Sequence, residues 1–290
     1  MIRELLPEML VLATAGLVAL PIVALRVRAA FRPVELTRFN AVTMSSGMIF
    51  LLIALLLCSV PLVVTIGGGS VIDRHFFPGG ALIGWVSALG AVLLMVAFIV
   101  GFRRAWKVET KLTIEEGIGV HHDMGTYRMV ILKVAQPLAY AIGGNDPQVV
   151  ITTGLVEVLT PCEVAAVVEH EAAHLSLGHR PHLILIGMLK PIASIFAPAR
   201  KLVDAALLAL ETAADSRTRD LTSTRGALLK LSGVAAAPGV AAFTAGDVVA
   251  RLNAMDEFDR PLSLPTRAGM YAMACGLVGI SLTTLVVFWL

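Results

Sequence analysis

Charge is what this chain has least of. Only 15% of its 290 residues are Asp, Glu, Lys or Arg, against about a quarter in ordinary water-soluble domains. Aliphatic residues fill the gap: 57% of the chain is hydrophobic and the mean hydropathy is +0.83. Something other than water must cover that surface, and a lipid bilayer is the expected partner. An excess of one sign is missing as well. The net charge is +2, which gives no basis for a nucleic-acid partner. Cysteine is scarce: Cys58, Cys162 and Cys275 are far apart, with no CxxC. That excludes a disulfide framework and a cysteine-based metal site, and leaves the three as small buried hydrophobes. Internal repeats and low-complexity tracts are also absent.

What the chain does have is long apolar runs. Residues 9–27, 42–66, 80–102 and 269–290 are each long enough to cross a bilayer as a helix. Pro21 is tolerated in such a helix, and Glu4 and Glu8 argue against a cleaved signal peptide. Arg26, Arg28, Arg32 and Arg38 crowd the first connection, and Arg103, Arg104, Lys107 and Lys111 follow the third run. The second connection, 67–79, holds only Arg74, beside Asp73. The positive-inside rule then puts the first connection and the block after the third run in the cytoplasm, with both termini outside. The expected fold is a mainly α integral plasma-membrane protein of four transmembrane helices. Residues 1–102 would hold three spans, 103–268 a cytoplasmic α+β peptidase block, and 269–290 the last span.

Within that block RMVILKVAQP reads as a strand, Gly143 to Pro147 as a tight turn, and QVVITTGL as a second strand. Thr160-Pro161-Cys162-Glu163 combines a cap, a proline at the first helical position and a capping-box glutamate, so a helix is expected from Pro161 to about Gly178. Two more helices follow, over roughly 181–195 and from Pro198 through Arg219. Residues 182–210 are apolar but interrupted by Lys190, Pro191, Pro198, Arg200, Lys201 and Asp204. A helix at the bilayer surface or against the spans is expected there rather than a fifth span.

The first of these helices carries His170-Glu171-Ala172-Ala173-His174, an HExxH sequence. Histidines four apart stand one turn above each other, where two imidazoles can bind one zinc ion. Glu171 can then reach the zinc-bound water as general base. Such a site wants a third protein ligand and one open position. Downstream, Glu211 and Asp215 are again four apart within an apolar helix pattern. Glu211 is the expected third ligand, and Asp215 the expected acceptor for a ligand imidazole N–H. The plainer alternative is a solvated acidic edge paired with Arg217 or Arg219. His179 or His182 are alternative third ligands; His179 is read as a supporting histidine at the helix end and His182 as structural. His121 and His122 receive no role. Arg267 is a candidate transition-state stabiliser, or equally a positive anchor at the membrane surface.

The runs Ala139 to Gly144 and Val149 to Leu155, then Leu159-Thr160-Pro161 with Glu163, then Ala165 to Val168 and His170 to His174, resemble membrane gluzincins. These are the BlaR/MecR antirepressor peptidases and their HtpX and CAAX-prenyl protease relatives. The segment from Glu211 to Asp215 is similar to their ExxxD helix. The resemblance implies one Zn²⁺ per chain on His170, His174 and Glu211, with Glu171 as base. It also implies that the strand before the HExxH helix pairs with an extended polypeptide substrate. The layout is that of a short BlaR/MecR form, ending at Leu290 without a penicillin-binding sensor domain. The main functional expectation is a signal-regulated protease that cleaves a BlaI/MecI-like repressor or itself, with a sensor partner or homodimerisation. One alternative is an HtpX-like membrane-protein quality-control protease; another is a non-enzymatic transducer with structural zinc.

Overall fold

The computed structural model describes residues 32–48, 85–86, 88–93, 95–103, 119–194, 197–232 and 245–256, with single positions at 268, 269 and 272. After helical segments at 33–48 and within 85–103 come four strands: β1 (Val120–Asp123), β2 (Arg128–Leu132), β3 (Ala139–Ile142) and β4 (Gln148–Thr152). Six helices follow: α1 (Thr153–Val158), α2 (Pro161–Ser176), α3 (Arg180–Ala193), α4 (Ala197–Asp215), α5 (Leu221–Ser232) and α6 (Ala245–Met255).

The sheet order is β1-β2-β4-β3, with β2 and β4 parallel and the outer pairings antiparallel. All five residues of β4 are buried, as expected of a strand paired on both edges and covered on both faces. Its alternation divides the core. Val149 and Ile151 face Leu155, Leu159, Val167 and Ala227 of the helical layer. Val150 packs with Val130, Leu132 and Ile142 on the other side.

The segment QVVITTGL is a strand only as far as Thr152. There the Thr152 hydroxyl accepts from the Leu155 N–H at 3.3 Å and caps α1. Gly154 makes that turn possible: a Cβ there would lie 2.0 Å from the Ala135 carbonyl oxygen. Because the obstacle is backbone, Gly154→Ala is expected to cost about 3 kcal/mol, read as a lower urea midpoint at unchanged slope.

Helix α2 begins as its sequence signals require. The Thr160 N–H donates to Glu163 Oε2 at 2.8 Å and the Glu163 N–H to the Thr160 hydroxyl at 3.4 Å. Glu163 also accepts from Lys230 Nζ at 2.6 Å, so the cap ties α5 to α2. At the far end Gly178 has φ +65 and ends the helix. Glu169 accepts from the Arg219 backbone N–H at 2.9 Å and from its Nε at 2.6 Å, fastening the chain just after α4 to α2.

The four-span architecture is overturned. Among the described residues no helix is long and apolar enough to cross a membrane, and what they form is an α+β unit. The run 9–27 lies outside the described residues, as do most of 42–66 and of 269–290. Residues 42–48 belong to a helical stretch, 33–48, whose Phe39 and Met44 are buried against Ile186, Leu202, Val203 and Leu210 of α3 and α4. Asn40, Thr43 and Ser46 are buried on it too. Hydropathy counts apolar residues along the chain and cannot tell which are covered by other protein. The same packing accounts for 182–210, which is α3 laid against α4. Residues 85–103 are helical where described. Trp85, Leu89 and Leu93 there are exposed, while Gly101 is buried. With no crossing helix among the described residues, the orientation drawn from the basic clusters has no structural support.

Candidate active site

Helix α2 presents His170 and His174 one turn apart, and α4 presents Glu211 and Asp215 in the same relation. The structure brings the two pairs face to face. His170 Nε2 and His174 Nε2 are 3.2 Å apart. Glu211 approaches both, with Oε2 3.4 Å from His170 Nε2 and Oε1 3.8 Å from His174 Nε2. One ligand atom from each of the three lies within 4.8 Å of the others, a group that could hold a metal ion.

The surroundings orient these atoms. Asp215, with 0% exposure, places Oδ1 2.9 Å from His170 Nδ1. With that ring proton directed at Asp215, the Nε2 lone pair of His170 points into the cluster. His174 Nδ1 stands 2.9 Å from His179 Nδ1. His179 is buried, and burial followed by the neighbouring His174 pushes it down to about 3, so it is neutral. A proton on His174 Nδ1 then donates to His179, and His174 too directs a lone pair inward. Lone pairs at this separation repel unless a proton or a cation lies between them. The donor set therefore fits a divalent ion.

The acidic alternative of an edge paired with Arg217 or Arg219 is not what forms. Arg219 binds Glu169, and the partner of the acidic pair is Arg251 on α6, which the sequence reading passed over. Arg251 donates from Nε to Asp215 Oδ2 at 2.8 Å and from Nη2 to Oδ1 at 2.6 Å, while Nη1 is 3.1 Å from Glu211 Oε2. A signal for it exists. Val248 and Met255 are buried and Leu252 partly so, forming the apolar stripe of α6, and Arg251 falls on that stripe at helical spacing. An arginine on an apolar face needs a buried anion.

Ionisation follows from these contacts. Burial opposes charge on Glu211, yet His170, His174 and Arg251 hold its carboxyl well below the usual range. Asp215 is likewise held down, by His170 and Arg251 against its burial. Burial pushes His174 down. For His170 burial also acts downward, but Asp215 and Glu211 outweigh it and lift the ring to about 10. Without a cation, His170 carries the proton that holds the cluster together. That stabilisation is complete below the unfolded value near 6.5 and drains away as pH rises towards about 10. Chelator-treated protein is expected to lose on the order of 1 kcal/mol per pH unit across that window. Urea titrations at several pH values would show it, and His170→Gln should flatten the slope.

Other expectations fall differently. The strand immediately before α2 in the sheet, β4, is flanked by β2 and β3 and has no edge to offer a substrate. The strand beside α2 with an outer edge that no described strand pairs is β3. His182 lies near His179, with ring centroids 6.3 Å apart, and reaches none of the three converging atoms. His121 and His122 are exposed on β1. Arg267 lies outside the described residues.

Two imidazoles and a carboxylate converging from two helices, with a glutamate between the imidazoles in sequence, are the donor set of an HExxH metalloprotease. The family model described as Peptidase family M48 matches residues 107–244. The chain is similar to a Protease HtpX homolog of Bordetella petrii, 39% identical over 88 residues that cover 30% of this chain and 28% of that protein. It is similar to the Protease HtpX homolog of Bordetella pertussis at 38% over 88 residues, 29% of this chain and 28% of the relative. The chain thus spans under a third of the length of these relatives. No solved structure gives a significant match. The family match and the relatives support a metalloprotease, a hydrolase of peptide bonds.

Proposed function

We propose that this chain is an HtpX-like zinc endopeptidase in which His170, His174 and Glu211 hold the ion and Glu171 is the catalytic base. The observation that carries this is the convergence of three donor atoms from α2 and α4 within 4.8 Å. Bound there, zinc supplies Lewis acidity and a water acidic enough to be deprotonated near neutral pH.

The chain's own residues do the rest. Glu171, between the two histidines on α2, accepts a proton on its carboxylate as the amide carbon is attacked and returns it to the leaving nitrogen. Asp215 holds the Nδ1 proton of His170, and His179 that of His174, which fixes both rings with Nε2 directed inward. Arg251 keeps Asp215 and Glu211 ionised. The substrate is a polypeptide. Between the two enzymatic readings, the relatives favour removal of damaged proteins in the manner of HtpX. Neither the family match nor the relatives support a signalling role in cleaving a BlaI/MecI-like repressor.

The test pairs metal analysis with proteolysis. Purified protein should carry one zinc per chain and degrade an unfolded substrate such as denatured casein. Glu211→Ala should lose both metal and activity. Wild type without stoichiometric metal would sink the proposal. Quality control predicts that many unrelated proteins accumulate in cells carrying Glu171→Gln, whereas a signalling protease would leave a single stabilised target.

A further inference from the structure

We propose that a cavity of about 720 Å³ beside His174 seats bulky apolar side chains of an extended peptide substrate, with Leu183 on α3 as a specificity determinant. The inference rests on the peptidase reading and names the substrate class for it.

Three observations converge. The cavity opens beside the metal-binding group: His174 lines it together with Ala141, Leu183, Ile184, Gly187 and Leu207. Glu171, His174 and Leu175 follow one another at i, i+3 and i+4 on α2, so the proposed base shares a helix face with two residues that line the cavity. Its volume falls in the range of about 300–1,000 Å³ typical of small-molecule sites, which is room for more than one side chain.

The second observation concerns the backbone. The Thr152 N–H donates to the Leu138 carbonyl at 3.1 Å, which sets the antiparallel alternation between β3 and β4. Pairing of Tyr140 with Val150 and of Ile142 with Gln148 continues it. By that alternation Ala139 and Ala141 turn their N–H and C=O groups to the outer edge, which no described strand pairs. A peptide added there would be held in register by hydrogen bonds to its main chain, with alternate side chains directed to one side. Ala141 lies on that edge and also lines the cavity.

Third, the wall is built for apolar contact. Leu183 is 44% exposed although it is a large hydrophobe, and Leu207 and Ile184 line the same cavity. Gly101 closes one side by packing so tightly on α3 that a Cβ there would lie 2.5 Å from the Gly187 carbonyl oxygen. Apolar residues make up most of the wall, and its polar members are His174, His179, Arg180, Lys190 and Ser194. Selection for apolar side chains therefore rests on contact with Leu183, Ile184 and Leu207 and on the cost of desolvating a polar one there.

The experiment uses full-length, zinc-loaded Glu171→Gln protein, so that binding is read without turnover. Two end-blocked, fluorescein-labelled decapeptides are compared by anisotropy, identical except for a Leu-Phe-Leu or a Ser-Asn-Ser centre. The apolar peptide is expected to bind at least tenfold more tightly. Adding Leu183→Asp should reduce the ratio to within threefold, and Leu229→Asp on the exposed face of α5 should leave it intact. Equal binding of the two peptides, or a ratio unmoved by Leu183→Asp, overturns the proposal. A preserved ratio in protein whose wild-type form hydrolyses neither peptide would count against the peptidase reading and in favour of the apolar seat, so the two failures are distinct.

Discussion

Glu171→Gln is expected to keep its zinc and lose about a thousandfold in kcat/KM. Glutamine preserves the length and shape of the side chain but has no lone pair basic enough to take a proton. None of the three converging atoms belongs to residue 171, so its replacement leaves the metal-binding group intact. Metal content and hydrolysis must therefore separate in this variant, whereas in Glu211→Ala they should fall together. A Glu171→Gln protein that hydrolyses peptides at the wild-type rate would remove the base assignment. One that loses its zinc would show that Glu171 acts on the ion's binding.

Arg251→Leu is the second large effect, and it acts first on stability. Asp215 is fully buried and held by a two-toothed guanidinium fork and by His170. Removing the fork leaves a buried carboxylate with a single ring for a partner, a change that typically costs about 3–5 kcal/mol. Much of that penalty is the stranded charge, so Arg251→Leu combined with Asp215→Asn should recover part of it. A coupling of about 2 kcal/mol between the two sites is expected from the double-mutant cycle in urea unfolding. Additive losses would mean that Arg251 supports α6 by packing alone. The link matters for the site because Arg251 joins α6 to the acidic pair of α4, while Val248 and Met255 pack against Leu228 of α5.

Sequence and structure agree where local physics decides. Thr160, Pro161 and Glu163 marked the start of α2, and Gly178 its end, because caps and a left-handed glycine act within one turn. The turn from Gly143 to Pro147 was legible for the same reason, and the strand expected over residues 128–137 forms only as far as Leu132. The apolar run after Gln148 misled, since periodicity cannot separate a buried strand from the short helix that follows it. What broke the run was the Thr152 side chain turning back to cap α1.

Helical spacing alone, read from the letters, put His170 over His174 and Glu211 over Asp215, because the pitch of a helix is the same wherever it lies. Tertiary packing decided the rest. That the two pairs face each other follows from α2 lying against α4, where Glu169 also holds Arg219 just beyond the end of α4. Arg251 arrives from a helix beyond both, and the open edge belongs to β3 rather than β4 because of a sheet order no single segment encodes. The same limit bears on the four-span expectation: no described helix is long and apolar enough to cross a membrane, and Met44 of the second apolar run is covered by α3 and α4, which hydropathy along a segment cannot show.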